Sequence, residues 1–546
     1  MVEAVVAGGE ELLGSPVVVD PRDFTPRGDD MFFRAVDSST KIGFFVTDGT
    51  EAGTRLLAGG LGDFNDSTMP ENLVPVGPFV YIAARRVGGG TELYRADGTL
   101  DGTVRVTDMA GGALEDMIYV GGELFFNLNK FPDGREPWVS NGTPAGTNLL
   151  LDIRSGNLGS NPLDFAPLGS SAVFSAYSDD EGPELWISDG TPAGTSLVAD
   201  LEPGMFGSQP EDMFPALGKV FFHASVHPFG REPWVTDGTA AGTVMLGNIY
   251  PFFTTLPGGL DFTEAVGKVF FVIDDSVHGY EPWVTDGTPA GTQMLIDVNP
   301  SAGGFVPRLL GEYDGKMWFI AYDGADSQLW STDGTPGGTV PVYTFEQLAA
   351  NNIPRQPAVE FDGRFYFAGW SSAEGLEPWA TDGTALGTGP VLDLNPGAAS
   401  SSPEDFAVAG SLLYFSAVDS GGDREVWTLP ADDLIFFDNL ETGDASLWDN
   451  ETLLGGTTSY NAAAADRGET GLEIGLDASN DRAFLTDETP DGEDFYRVRF
   501  RFNPNSITLA ENKRFKIVSS RADTGERLFQ TIVRWRMAEG FSIRAK

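Results

Sequence analysis

Cysteine is absent from the 546-residue chain, so neither a disulfide framework nor a thiolate metal site is available to it. Histidine is almost as scarce, with His223, His227 and His278 the three copies. His223 and His227 have the spacing of a zinc pair on a helix, but here they fall on a strand end and the loop after it. No Ser-centred nucleophile elbow accompanies them. Paired carboxylates of the glycosidase kind have no sequence signature among 80 acids. No catalytic, cofactor-binding or metal-ligating residue is therefore assigned, and the chain is read as a non-enzyme. Basic residues are few, 34 Lys plus Arg against 80 Asp plus Glu, a formal net charge of −46 that opposes nucleic acid and anionic membrane surfaces while admitting cations and basic partners. Such acidity fits a saline or calcium-rich exterior, or solubility alone. No run of 18 apolar residues occurs, and Met1 to Glu10 lack the basic and apolar regions of a signal peptide. Membrane insertion is not expected. The first residues read like the end of a repeat, so Met1 is expected to be an internal start or a fragment boundary.

What the chain has is repetition. Asp-Gly-Thr begins at Asp48, Asp97, Asn141 (Asn for Asp), Asp189, Asp237, Asp286, Asp333 and Asp382, in steps of 49, 44, 48, 48, 49, 47 and 49 residues. Every copy reaches a second Gly-Thr, at Gly53, Gly102, Gly146, Gly194, Gly242, Gly291, Gly338 and Gly387. A period near 48 marks an array. Gly, Pro and Asp-Gly are too dense for amphipathic helices, which excludes helical solenoids. Around Asp237 the unit reads as four strands, Glu211 to Leu217, Val220 to Ala224, Glu232 to Thr236 and Thr243 to Ile249, and four short strands per repeat describe a propeller blade.

Each conspicuous residue type has a structural reason. Trp138, Trp186, Trp234, Trp283, Trp330, Trp379 and Trp427 share one third-strand position, where Phe45 and Tyr94 stand in the first two repeats; they are read as core rings between blades rather than sugar platforms. The repeat aspartates accept backbone N–H bonds in a turn whose Gly takes positive φ, and are read as turn residues rather than calcium ligands. The second Gly-Thr is expected to form a bulge that starts the fourth strand, its Thr capping the loop. Second-strand patterns number nine, from Met31-Phe32-Phe33 to Leu413-Tyr414-Phe415. The ninth unit runs through Trp427 but lacks the turn and fourth strand, which Val2 to Ala7 or Pro16 to Asp20 are expected to supply, closing the ring. The expected fold is all-β: a nine-bladed β-propeller over residues 1–431, with eight blades as the alternative, and a partial β-sandwich over 432–546.

The pattern Glu184-Leu185-Trp186-Ile187-Ser188-Asp189-Gly190-Thr191, continuing to Gly194-Thr195, resembles the bacterial repeat family named for ELWxxDGT, over about residues 20–430. Asn141, Gly43 and Gln328 depart from it. The resemblance implies secreted or surface, hyalin-like propeller proteins without established catalytic residues. The stretch Phe437-Asp438-Asn439-Leu440-Glu441-Thr442-Gly443-Asp444 is similar to the start of concanavalin-like lectin and glucanase jelly-roll domains, of which about half is covered. Together they imply an extracellular or cell-surface binding or adhesion module, a monomer, with a polysaccharide or cell-surface protein as ligand; an accessory region of a carbohydrate-active enzyme is the alternative.

Two charge patterns remain. Glu92, Glu136, Glu184, Glu232, Glu281 and Glu377 open third strands, and Asp108, Asp152, Asp200, Asp297 and Asp393 close fourth strands, so both sets are expected on one rim. There they accept backbone N–H or Arg bonds, with Arg135 and Arg231 adjacent, or else bind calcium, the one candidate cofactor, through loops such as Asp297 to Ser301. Residues 495–546 reverse the charge, with 12 Lys plus Arg against 4 acids, a net of +8. Arg497, Arg499 and Arg501 alternate with Val498, Phe500 and Phe502, and Arg534 with Arg536 repeats the device. This basic face is read as solvated, with acidic polysaccharide as the ligand alternative. Because Phe541 to Ala545 alternates up to the last residues, the second domain is expected to be incomplete, leaving Val533, Trp535, Phe541 and Ile543 poorly covered.

Overall fold

A computed structural model of the chain describes residues 10–11, 19–36, 42–50, 53–58, 73–85, 90–107, 112–250, 260–300, 306–345, 358–418, 422, 424–430 and, in strands of a second unit, 450–454, 456–461, 471–476, 482–486, 514–521, 527–536 and 540–545. The chain divides into two compact units, Gly9–Ala431 and a second made of Met1–Gly8 with Asp432–Lys546.

Blade 5 shows how the first unit is built. Its strands Glu211–Ala216, Lys219–Val226, Gly230–Thr236 and Val244–Met245 pair antiparallel in chain order. The second strand reads Val220-Phe221-Phe222 without alternation because a neighbouring blade covers each of its faces, and all three side chains are fully buried. Seven more four-stranded sheets repeat this order, blade 1 over residues 19–58, blade 2 over 73–105, blade 3 over 113–149, blade 4 over 163–199, blade 6 over 260–294, blade 7 over 308–344 and blade 8 over 359–390, and blade 9 sets three strands over 404–430 beside a fourth from the start of the chain. The fold is a nine-bladed β-propeller. First strands of successive blades lie against one another around the axis.

Nine apolar clusters among the described residues account for the ring, one at each junction between adjacent blades. The cluster joining blade 9 to blade 1 settles the blade count. There Phe24, Phe33 and Phe45 of blade 1 pack with Ala409, Tyr414 and Val426 of blade 9, and Phe33 stacks on Phe45 with centroids 5.4 Å apart. Each such ring contributes about 1.5–3 kcal/mol by leaving water. The third-strand aromatics sit where expected: each Trp packs toward the preceding blade, Trp138, Trp330 and Trp379 buried and the others partly so.

Three local expectations are corrected. The strand that completes blade 9 is Glu10–Glu11, paired with Thr428 and Trp427; Val19 and Asp20 instead open blade 1, where the turn at Gly28 commits Val19–Arg27 to Asp30–Val36, and Val2 to Ala7 lie outside the described residues. The second Gly-Thr is not a bulge in blades 3, 4, 6 and 7 but the end of a single 3-10 turn, such as Pro289–Gly291, with Thr288 as its N-cap. Pro fixes the first φ of that turn, and the Thr hydroxyl accepts the Gly N–H. Fourth strands are also shorter than the Thr243 to Ile249 reading, for a reason that lies in the rim.

In the second unit, Asn450–Leu454 pairs with Arg482–Thr486, Gly456–Asn461 with Gly471–Leu476, and Arg514–Arg521, Arg527–Arg536 and Gly540–Ala545 form a three-stranded antiparallel sheet. Arg497, Arg499 and Arg501, and the side chains of Val533, Arg534, Trp535, Arg536, Phe541 and Ile543, lie outside the described residues. No helix among the described residues is long and apolar enough to cross a membrane.

Candidate functional site: one loop rim and the axial carboxylates

The Asp-Gly-Thr turns face the rim opposite the third-strand glutamates, and their polar groups are satisfied internally. In blade 6, Asp286 Oδ1 accepts from Thr288 N at 2.9 Å and Thr288 Oγ1 at 2.6 Å, Thr288 Oγ1 accepts from Gly291 N at 3.0 Å, and Thr292 Oγ1 donates to Thr288 O at 2.8 Å. The bonds from Thr288 hold the Asp286 carboxyl below its ordinary range. Gly287 has φ +81°, as the turn requires. The second glycine has another cause, since a Cβ on Gly291 would lie 2.2 Å from Asp286 Oδ1. These aspartates are turn residues.

On the glutamate rim, the six glutamates are buried and act as clamps on the loop that leads to the next blade. Glu184 accepts from Leu201 N, Glu202 N, Ser208 N and Ser208 Oγ. Glu136 and Glu377 hold their loops the same way through Ser160 and Ser401. Among the described residues Glu232 and Glu281 take the first pair, Ile249 N with Tyr250 N and Val298 N with Asn299 N, while Glu92 accepts from Thr107 Oγ1 at 2.8 Å. Burial pushes the carboxyls of Glu136 and Glu184 up, that of Glu232 to about 8 and those of Glu281 and Glu377 to about 7. Where Pro accompanies the clamp the fourth strand is short, whereas blade 4, with Leu185 after its Glu, keeps four residues. In blades 3, 5, 6 and 8 Pro follows the Glu and has no N–H to offer, so pairing stops after two or three residues and the chain turns its N–H groups to the carboxylate. Blades 1 and 7 carry Gly43 and Gln328 instead, and their fourth strands run to four and five residues.

The backbone reading of the glutamates thus holds, but the arginine reading does not. Arg135 bonds Glu115 and Asn127, and Arg231 bonds Glu211 and Asp212. Of the fourth-strand aspartates, Asp152, Asp200 and Asp393 are exposed, Asp297 is partly buried, and Asp108 lies outside the described residues. Asp297 and Asp393 come near enough to raise Glu281 and Glu377 further. Among the described residues no group of three or more His, Asp or Glu side chains is placed to hold a metal ion. The histidines do not converge: His223 is fully buried, its Nδ1 3.2 Å from Asp212 Oδ2 and its ring stacked 4.6 Å from Phe262. His278 Nδ1 is 2.6 Å from Asp275 Oδ2. His227 is in an exposed loop and gives its backbone N–H to Glu202.

Sequence reasoning missed a ring of carboxylates around the axis. Asp23, Asp116, Asp164, Asp212, Asp261 and Asp405 each sit in a first-strand bulge with φ between +50° and +61°. The bulge turns the following Phe or Met toward the blade junction, as Phe24, Met117, Phe165 and Phe262 show. It also lets blades bond in series, Asp164 N donating to Asp116 Oδ2 at 2.6 Å and Asp212 N to Asp164 Oδ2 at 3.0 Å. Burial pushes Asp116 and Asp405 up to about 6, helped by neighbouring carboxylates, whereas the bond from His223 lowers Asp212. A hollow of about 440 Å³ lies beside the ring, among Phe24, Val74, Met117, Tyr119 and Pro167 of the first four blades. The signal was present as Asp-Phe or Asp-Met at 116, 164, 212 and 261, the period of the array.

The glutamate rim also carries an arc of exposed apolar side chains through blades 3 to 6: Phe131, Leu158, Met205, Phe206, Phe229 and Val277, with Phe206 80% and Phe131 86% exposed. The loops that bear the first five touch or bond in succession, the last of them through His227 N donating to Glu202. Gly134 packs on Gly159, and Gly182 on Met205 and Gly207, so closely that a Cβ at either would collide with backbone. Tyr177 OH donates to Met205 O, and Arg154 lies over the Tyr177 ring while bonding Asp179.

Among solved structures, the chain is similar to a puromycin hydrolase complexed with PGG (15% identity, 64% of this chain and 58% of that one, TM-score 0.37), to the computationally designed Ika8 protein (12%, 77% and 99%, 0.37) and to a structure from an analysis of two prolyl endopeptidases (12%, 66% and 54%, 0.39). The chain spans little more than half the length of the two peptidases. No protein-family model and no curated protein matches it.

Proposed function

We propose that the chain is a non-catalytic binding or adhesion module of the extracellular repeat family that its ELWxxDGT pattern resembles, taking glycan or protein ligands on the glutamate rim. The observation that carries this reading is the apolar arc of blades 3 to 6. Apolar side chains scattered singly over a surface need no explanation, but five on successively touching loops of one rim, with Val277 further along it, make a concentration of the kind that marks an interaction site. The opposite rim offers less, because its turn carboxylates are bonded within their own turns. The rim glutamates serve to hold the loops, so the ligand meets side chains on the loops rather than the buried carboxylates.

Glycan and extracellular-protein arrays, probed with the whole chain and with a Phe206→Ser variant, test this reading. A ligand lost in the variant supports it. Turnover of a bound polysaccharide, or ligands unaffected by changes on this rim, would replace it.

A further inference from the structure

From the composition of the arc and its surroundings, we infer that its ligand is a basic, apolar-rich polypeptide segment; this rests on the rim being the binding face. The chemistry of the loops points there. The rim loops of blades 3 to 6 over residues 130–135, 150–164, 178–183, 199–212, 227–231 and 274–279 hold twelve Asp and Glu against four bases, Lys130, Arg135, Arg154 and Arg231. Three of those bases are already matched: Arg135 with Glu115, Arg154 with Asp179 and Arg231 with Glu211. Lys130 lies over the Trp138 ring. The acids outnumber them, and Asp152, Asp180 and Asp200, which pair with none of these bases, are exposed on the same loops. The patch therefore pairs apolar anchors with a negative border, and its complement carries Lys or Arg next to Leu, Ile, Phe or Trp.

Other occupants fit less well. A second copy would bring an identical acidic border against this one, and like charges facing across an interface oppose association. An anionic lipid surface or nucleic acid meets the same repulsion. A glycan finds three phenylalanines and no exposed Trp in the arc, hence rings without a polar handle for its hydroxyls. A polypeptide can use both features. The backbone N–H groups of the loops at Leu201, Glu202 and Ser208 are committed to Glu184, so recognition runs through side chains, consistent with anchors entering between the loop tips.

Random-sequence peptides displayed on phage, selected against the whole chain, provide the test. Expected are enriched peptides with net positive charge and large apolar residues. Their affinity should fall about tenfold or more in a Met205→Ser/Phe206→Ser variant and on raising the salt, and stay unchanged in Leu100→Ser, an equally exposed site on the opposite rim. Neutral or acidic winners, or winners indifferent to the double variant, would overturn the inference. So would a wild-type dimer that Met205→Ser/Phe206→Ser converts to monomer, since a second copy would then be the occupant. If the arrays give a glycan ligand that depends on Phe206 while no basic peptide is selected, the rim remains the binding face and only its assignment to polypeptides fails.

Discussion

Gly291→Ala should destabilise blade 6 although its backbone accepts any residue, and a second substitution should cancel the damage. The new Cβ would lie 2.2 to 2.4 Å from the Asp286 carboxylate, where no real contact exists, so the carboxylate must swing away. With it go the bonds to Thr288 N and Oγ1. Losing them in a largely exposed turn costs about 1 kcal/mol, and residual crowding brings the total to about 1–3 kcal/mol. Asp286→Ala alone loses the same bonds without crowding, about 1 kcal/mol. In the double variant the clash has no partner, and Ala at a compatible position restricts the unfolded chain, worth about 0.4–1 kcal/mol. Asp286→Ala/Gly291→Ala should therefore be at least as stable as Asp286→Ala, a coupling of about 1–3 kcal/mol. Hydrogen exchange at residues 285–294 is the proper readout, because a chain of this size does not unfold in one step. If the two costs add within about 0.5 kcal/mol, the second glycine is not there to make room for the aspartate.

Glu232→Gln should flatten the pH dependence of blade 5. A carboxyl raised from the ordinary range to about 8 by burial contributes stability that is present at acid pH and lost as pH rises through about 8, so wild-type exchange protection should fall over that window and the variant's should not. Trp283→Phe should cost less than about 1 kcal/mol in thermal melts, because the buried Trp283 Nε1 has no acceptor among the described residues and blade 1 already uses Phe45 at this position; a loss of 3 kcal/mol or more would reveal a partner. Phe33→Ala, which empties the junction of blades 9 and 1, should cost about 3–5 kcal/mol, and Glu11→Pro no more than about 1 kcal/mol. Equal losses would mean that the short closing strand, rather than the apolar cluster, holds the ring shut.

The blade count was legible because it depends on features of fixed period: the turn, the second-strand apolar run and the third-strand aromatic. The closing strand was not, since Glu10–Glu11 has no apolar pattern and pairs through its backbone. The rim glutamates were correctly placed and backbone N–H partners were expected for them, but the arginines also offered by adjacency along the chain bond elsewhere, and the N–H groups lie 17 to 24 residues later. A serine 24 residues after Glu136, Glu184 and Glu377 was the available signal. The axial aspartates escaped because alternation treats an Asp within a strand as solvent-facing, and positive φ at Asp212 is invisible to any period-two pattern. The apolar arc was readable only as loop residues, its meaning coming from which loops the propeller brings together.

The clamps and the arc belong to one arrangement. A loop carrying Leu158, or Met205 and Phe206, outward would ordinarily fold its apolar residues back over the nearest blade, and its unpaired backbone would make it mobile. Here Glu136 and Glu184 each take three backbone N–H groups and a serine hydroxyl from that loop, which fixes both its ends from inside the blade and leaves the tip no route to collapse. A loop so held loses little further freedom on binding, and that saving adds to affinity without any added contact. The same reasoning separates the roles of the two residues. Ser208→Ala should leave the exposed side chains unchanged yet weaken ligand binding by loosening the tip, and Phe206→Ser should weaken binding while leaving exchange at Leu201 and Ser208 as it was. If Ser208→Ala raises exchange at those amides but ligand affinity holds, the loop tip is not the binding element and the arc must act through its neighbours in blades 3 and 5.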